Sequence, residues 1–444
     1  MPIHRGKTTK TIPMRIQLFI LFLLLSVVGS SAQKLSRTEA EIAAAVSRNA
    51  PEALAFLEKV VNINSGTFNL EGVRKVGEVF GTAFEEIGFK TRWIPMPDEM
   101  NRAGHLFAEL EGNKGKRLLL IGHLDTVFEE DSPFQGFERV NDSLAHAPGG
   151  NDMKGGDVIV LFALKALQEQ GLLDNAQIIV AFTGDEESTG KPLEVSRRDL
   201  IQAAKRSDIA LGFETSTGYD KATVARRGAS GWEVTATGKR AHSSGVFNER
   251  VGAGAIFELS RILHEFYQEV KGPKYLTFNP GILMGGTFVE YDAKSGKAQV
   301  FGKSNVVSQT ASVKGGLRFI SEAQKDSARA KMREIVSRNL PNTTAEVHFT
   351  DAYPAMAPKP ENMELLATLS QVSQDLGQGA VTAYDPGRRG AADVSFVAEY
   401  VACLDGLGSM GSGAHTPQET VNLKTLEPLT QRTAILIYRL LQQN

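Results

Sequence analysis

The chain has 444 residues, enough for two or three domains, with 42% apolar and 23% charged residues, as in an ordinary soluble globular protein. Its formal net charge of −2 gives no sign of electrostatic nucleic-acid binding, which normally needs a basic face. Cys403 is the only cysteine, so no internal disulfide exists, and its place in Val401-Ala402-Cys403-Leu404 reads as a small core residue.

The first thirty residues stand apart in composition. Lys7, Lys10 and Arg15 precede the apolar run 18–28, which Gly29-Ser30-Ser31-Ala32 follows. A basic start, a short apolar stretch and small residues describe a secretory signal peptide over residues 1–32. The run falls short of the roughly twenty residues needed to span a bilayer. A secreted or periplasmic protein is expected, off the membrane after cleavage and membrane-anchored if the segment is retained.

Beyond it, helical periodicity alternates with short apolar runs. Residues 39–63 and 72–87 read as amphipathic helices, 117–122 as a buried strand, 156–170 as a helix, and 177–182 and 208–213 as further strands. That alternation predicts an α/β fold, a mainly parallel sheet covered by helices on both faces. From about Lys221 the pattern changes to strand-like alternation, as in Trp232-Glu233-Val234-Thr235-Ala236. A helix over 251–270, strand-like stretches over 276–290, 298–307 and 312–320, and a helix over 322–338 follow. Two helices on a four-stranded antiparallel sheet would make an inserted α+β unit. The predicted organisation is a first catalytic segment 33–218, the insertion 219–338 and a second catalytic segment 339–444, ending in a helix over 426–441.

Acids or histidines follow apolar runs at five places, and open α/β sheets form their sites at such carboxyl ends. His123 and Asp125 stand in Gly122-His123-Leu124-Asp125-Thr126-Val127, where a period of two puts both on one side. An imidazole there suits a metal, with a nearby carboxylate to orient it. Asp152 lies among glycines in Pro148-Gly149-Gly150-Asn151-Asp152-Met153-Lys154-Gly155-Gly156, a pattern that permits close approach to a ligand and equally suits a plain turn. Asp185, Glu186 and Glu187 end a strand, where packed like charges repel unless protonated or neutralised by a cation. Glu214 ends another, and His415 occupies Gly411-Ser412-Gly413-Ala414-His415-Thr416-Pro417-Gln418-Glu419. His4, His105, His146, His264 and His348 fit no such pattern.

Together these segments resemble the metal-site motifs of the co-catalytic zinc exopeptidases and deacylases, which include glutamate carboxypeptidase, aminoacylase, acetylornithine deacetylase and succinyl-diaminopimelate desuccinylase. The resemblance spans nearly the whole chain after the signal. It implies two Zn²⁺ per subunit, with Co²⁺ or Mn²⁺ as substitutes. Asp152 would bridge them, His123 and Glu214 would hold one, and Glu187 and His415 the other. Glu186 would take a proton from the attacking water and return it to the leaving amine, and Asp125 would support His123. The Asp152–Met153 peptide is expected to be cis.

The resemblance extends to the insertion. Gly238-Lys239-Arg240-Ala241-His242-Ser243-Ser244 implies that His242 stabilises the oxyanion across a homodimer interface. Ser304-Asn305-Val306 and Leu317-Arg318-Phe319 match substrate-binding positions, Arg318 being suited to a carboxylate. The chain departs from the pattern at Gly387-Arg388-Arg389-Gly390-Ala391-Ala392-Asp393, where relatives carry a glycine-rich stretch. Arg389 and Gly390 there are candidates for meeting an acidic substrate. The implied activity is that of a glutamate carboxypeptidase-like exopeptidase acting on small peptides or acyl amino acids, with an N-acyl amino acid amidohydrolase as the alternative. A binding protein of the same fold would have no use for Glu186.

Overall fold

The computed structural model describes Met1, residues 35–293 and residues 295–443; apart from Met1, the expected signal segment lies outside the described residues. The first helix, α1 (Arg37–Val61), begins where Ser36 and Glu39 cap each other. The Glu39 amide donates to Ser36 Oγ at 3.2 Å, and the Ser36 amide donates to Glu39 Oε2 at 2.7 Å. Two otherwise orphan donors are satisfied in this way. Arg439, near the C-terminus, donates to the same Glu39 carboxylate at 2.6 Å and so ties the two ends of the chain together.

Helix α2 (Leu70–Glu86) follows, then strands β1 (Lys90–Ile94), β2 (His105–Leu110) and β3 (Lys114–His123). Helix α3 (Gly155–Glu169) leads to β4 (Ala176–Thr183), and α4 (Arg198–Lys205) to β5 (Ile209–Gly212). The second unit contains β6 (Gly228–Gly238), α5 (Ala255–Glu265), β7 (Thr277–Gly286), β8 (Thr310–Phe319), α6 (Glu322–Ser337) and β9 (Thr343–Asp351). The chain then returns through α7 (Pro360–Asp375) and β10 (Ala402–Leu404) to α8 (Leu426–Leu441).

The large sheet runs β1-β2-β4-β3-β5-β10, with β4, β3, β5 and β10 parallel and β1 and β2 antiparallel at one edge. Its inner strands are apolar on both sides because both sides are covered. One face packs against α1, α2, α3 and α8, and α3 is buried nearly all round. Phe80 and Phe182 meet edge to face at 5.4 Å in this core, and Phe56 packs on Phe80 at 5.2 Å. The other face packs against Leu200, Ala203 and Ala204 of α4 and against Val394 and Val397. Cys403 is fully buried there. No helix among the described residues is long and apolar enough to cross a membrane.

The second sheet runs β7-β8-β6-β9 and is antiparallel throughout. Trp232 and Val234 of β6, Leu259 and Ile262 of α5, and Met332 and Ile335 of α6 share one buried cluster. Three expectations need correction here. Residues 298–307 supply no strand to this sheet: Lys297–Phe301 is exposed along its whole length and pairs only with Phe288–Asp292 in a separate hairpin. The fourth strand is β9, whose alternating burial fits it to β6, so the unit extends past residue 338 to at least Asp351. The helix expected over 251–270 starts at Ala255, because Gly252 and Gly254 sit at φ +75° and +83°.

The chain crosses between the two sheets twice. Thr223 exchanges backbone hydrogen bonds of 2.8 and 2.9 Å with Asp405, and Arg226 exchanges bonds of 2.9 and 3.1 Å with Met356. The outgoing and returning strands are thereby bound to the large-sheet unit and to each other.

Candidate metal centre

Because β3, β4 and β5 are parallel, their carboxyl ends share one edge of the sheet. Register then decides which side chains meet. His123 stands opposite Thr183, and Ile121 opposite Gly212. The loops that follow bring Glu186, Glu187 and Glu214 around His123, while the loop before α3 supplies Asp152 and the segment after β10 supplies His415.

Two donor groups result: His123, Asp152 and Glu214, and Asp152, Glu187 and His415, each with its ligating atoms within 4.8 Å of one another. Asp152 belongs to both. His123 Nε2 lies 3.5 Å from Asp152 Oδ1 and 3.8 Å from Glu214 Oε1. His415 Nε2 lies 3.2 Å from both Asp152 Oδ2 and Glu187 Oε2. His123 Nε2 and Glu187 Oε1 are buried and make no hydrogen bond. Two cations sharing one carboxylate fit this mixed imidazole–carboxylate set, and they would complete the two orphaned atoms.

The field at the site is that of crowded negative charge. Burial, and then the charge of Glu214, hold the Glu186 carboxyl well above the usual carboxylate range. Burial raises Glu187 as well, against the hydrogen bond to His415, and burial with the charge of Asp152 pushes Glu214 up to about 7. Asp152 goes the other way: burial would raise it, but hydrogen bonds from His123 and His415 hold it below the usual range. Bonds to Asp152 and Glu187 push His415 up to about 11.

Backbone clamps hold these groups. The Asp125 carboxylate is fully buried and accepts from the amides of Glu186 at 3.0 Å and Glu187 at 3.1 Å, and from Thr67 Oγ1 at 2.7 Å. His123 Nδ1 lies 2.9 Å from the Asp125 carbonyl and 3.5 Å from its Oδ1. The carbonyl therefore orients the ring, and the carboxylate serves mainly to fix the acidic loop. The Asp152–Met153 peptide is cis. Glu419, fully buried, accepts from the amides of Asn151 at 2.9 Å, Asp152 at 3.0 Å and Gly149 at 3.3 Å. Burial first, opposed by those bonds, pushes it up to about 7. Only glycine fits at 156, where a Cβ would stand 2.1 Å from the Phe213 carbonyl. Lys154 Nζ, also buried, donates to the Val60 and Ile63 carbonyls at 3.0 and 2.9 Å.

Not every acid of the motifs belongs to the cluster. Asp185 is fully buried and is neutralised by Arg197, which also donates to Asp393 Oδ1 at 2.8 Å. Arg389 sits beside the cluster and donates to the Thr215 carbonyl at 3.1 Å, with its Nε buried and unpartnered. Gly390 offers its carbonyl to Arg226 at 3.0 Å. Arg226 in turn binds Asp405 and lies 3.8 Å from Glu214 Oε2.

In the second unit, the Ser243 amide donates to the Asn305 carbonyl at 2.9 Å, so His242 and Asn305 lie on adjoining segments. The exposed His242 ring contacts Ser244 Oγ at 2.8 Å, and Arg318 stands opposite Thr277 in the sheet. Among the described residues, none of the three makes a hydrogen bond or ion pair with the donor groups. Sequence reasoning assigned no role to Glu419, Arg226 or Tyr353. Glu419 ends the very segment that carries His415, which is the one signal that points to it.

The chain matches peptidase family M20/M25/M40 over residues 119–439. It is 30% identical to carboxypeptidase G2 of Pseudomonas sp. (strain RS-16) over 313 residues, 69% of each chain. It is 26% identical to succinyl-diaminopimelate desuccinylase of Psychrobacter sp. (strain PRwf-1) over 289 residues, 60% of this chain and 67% of that one. In fold it is similar to the crystal structure of aminopeptidase PepT from Bacillus cereus, with a TM-score of 0.70 at 18% identity, covering 88% of this chain and 99% of that one. The fold and the site define a metal-dependent hydrolase of amide bonds. The chain belongs to peptidase family M20/M25/M40.

Replacing Glu419 by Ala leaves three buried amides around Asp152 without their acceptor. Metal affinity is expected to fall about 10–100-fold, as when groups that orient metal ligands are lost. Titration of metal-free protein against a competing chelator measures this; affinity equal to wild type would show that the loop holds its shape without Glu419.

Proposed function

We propose that the chain is a two-metal exopeptidase of the glutamate-carboxypeptidase kind, releasing an amino acid from small peptides or N-acyl amino acids. The observation that carries the reading is the pair of donor groups joined at Asp152, with the half-buried Glu186 carboxyl beside them. His123, Asp152 and Glu214 would hold one ion, and Asp152, Glu187 and His415 the other, zinc being the metal that suits this donor set. Bound there, the ions supply Lewis acidity toward the scissile carbonyl and an acidified water. Glu186 takes the proton from the attacking water and delivers it to the leaving nitrogen. Its place next to the ligand Glu187, but outside both donor groups, leaves its carboxyl free to carry one between the two.

The arginines favour an acidic leaving group. Arg389 lies beside the donor groups, while Arg227 donates to the Gly387 carbonyl at 3.0 Å and to Thr277 Oγ1, which faces Arg318 across the sheet. Burial and the neighbouring Arg227 lower Arg318, and burial and Arg226 lower Arg389. Crowded guanidinium groups of this kind gain from a carboxylate placed between them. An N-acyl amino acid amidohydrolase shares the bond chemistry and is the second reading, favoured by the likeness to the desuccinylase.

The test is hydrolysis of a panel of dipeptides, acyl-glutamates and N-acetyl amino acids. Chelation should abolish turnover, and Zn²⁺ or Co²⁺ should restore it. Glu186→Gln should retain both metals yet lose several orders of magnitude in kcat, whereas Glu187→Gln should lose metal. Normal turnover in stripped protein, or in Glu186→Gln, would overturn the reading.

We also propose a homodimer through the second unit. Ile256 and Phe257 of α5, Phe247, Leu283 of the edge strand β7, and Phe288 and Phe301 of the hairpin are exposed together, an apolar area that suits a second copy of this chain. His242 would then serve the partner's site. His242→Ala and Glu186→Gln proteins, each nearly inactive, should regain activity when their subunits exchange. A fully active monomer would remove this role.

Residues 1–32 we propose to be a cleaved export signal, which places the protein in the periplasm or outside the cell. The helix cap at Ser36, just beyond Ala32, supports a mature chain that starts near residue 33. N-terminal sequencing of the exported protein should begin near Gln33; an intact Met1 would identify a membrane anchor instead.

A further inference from the structure

Glu186 is held at its backbone from two directions. Its amide donates to Asp125 Oδ1 at 3.0 Å, from the β3 side of the large sheet. Its carbonyl accepts from the Tyr353 hydroxyl at 2.6 Å, from the segment that returns out of the second unit. The contact joins residues 167 positions apart. Thr189 Oγ1 lies 2.6 Å from the same hydroxyl oxygen. Thr189 Oγ1 also reaches the Glu186 carbonyl, at 3.5 Å, so the two hydroxyls and that carbonyl form one small hydrogen-bonded group in which either hydroxyl can donate to the other. The Tyr353 carbonyl accepts from the Ala229 amide at 2.8 Å, so the residue is fixed to the start of β6 as well. Its ring packs on Phe396 at 5.0 Å, and Phe396 lies against the Arg197 guanidinium that neutralises Asp185.

We propose that Tyr353 is a positioning residue for the reaction: its hydroxyl, carried on the segment that returns from the second unit, fixes the peptide after Glu186 and so aims the Glu186 carboxyl. This rests on the reading of Glu186 as the proton carrier. Packing alone would be served equally by phenylalanine, since the ring fills the space beside Phe396; the hydroxyl is needed only for the two hydrogen bonds. Asp125 holds the peptide planes on both sides of Glu186 by their N–H groups, and the Tyr353 hydroxyl holds the second of them from its carbonyl end as well. The carboxyl between them then has little freedom beyond its own rotamers. Through Tyr353, the angle at which the second unit meets the first is transmitted to the proton-carrying group.

Tyr353→Phe, loaded with Zn²⁺ and assayed on the best substrate of the panel, should lower kcat about tenfold, the scale on which loss of one neutral hydrogen bond acts. KM and metal content should stay at wild-type values. Thr189→Val should lower kcat in the same direction by less. The decisive measurement is the double variant: if Tyr353 acts through Glu186, Glu186→Gln/Tyr353→Phe should be no slower than Glu186→Gln alone. A kcat for Tyr353→Phe within twofold of wild type, or an undiminished effect on the Glu186→Gln background, would overturn the proposal. So would a lower melting temperature with unchanged turnover per folded site. Wild-type turnover in Glu186→Gln would instead remove the role of Glu186 itself, whereas an inactive Glu186→Gln beside a normal Tyr353→Phe removes only that of Tyr353.

Discussion

Four carboxylates crowd one end of a buried sheet, and the surrounding structure is arranged against their mutual repulsion. Asp152, Glu186, Glu187 and Glu214, all half-buried, converge with the buried His123 and the exposed His415. Without compensation, such a cluster would separate or take up protons, and the upward shifts of Glu186, Glu187 and Glu214 express that tendency. The fold prevents separation by fixing the main chain rather than the side chains. Asp125 grips two successive amides of the acidic loop, and Glu419 grips three around Asp152. Both clamps are themselves buried carboxylates, satisfied by N–H groups in place of cations. The charge left over is what a pair of metal ions would neutralise.

A second, larger frame of buried ion pairs surrounds the first. Arg197 joins Asp185 to Asp393, and Arg226 joins Asp405 to the neighbourhood of Glu214. Each arginine links an early segment of the chain to a late one. Breaking a buried pair of this kind by removing one member strands the other charge in a medium that solvates it poorly, typically at a cost of about 3–5 kcal/mol. These pairs therefore couple the integrity of the discontinuous large-sheet unit to the integrity of its site.

Much of this was legible in the sequence, because the chemistry sits where short apolar runs end. His123, Glu187 and Glu214 follow such runs, Asp152 and His415 stand in glycine-rich segments, and the parallel sheet brings that one-dimensional pattern together as a three-dimensional cluster. The second unit was read less well. Residues 298–307 alternate like a strand, yet only their first part, to Phe301, is extended, in an exposed hairpin, while 343–351, with a similar alternation, enters the sheet. Alternation records which residues face a surface but does not say which surface. Asp185 looked like its neighbours Glu186 and Glu187 until Arg197 was seen beneath it. Tyr353 and Arg226 left no local sign at all, because each acts through a contact made far away in sequence.

The interruption of the large-sheet unit has a consequence for how the protein is made. His123, Asp152, Glu187 and Glu214 all precede the excursion that begins near Thr223, whereas His415, Glu419 and the strand β10 follow it. As the chain emerges from the ribosome, the first donor group is complete once Glu214 has appeared. The second waits for some two hundred further residues (415 − 214 = 201). During that interval Asp152 lacks the glutamate that braces its loop, and one edge of β5 lacks its neighbour β10. A prematurely ended chain is thus left with at most half a metal site and an open sheet edge, the state that cellular quality control recognises and removes.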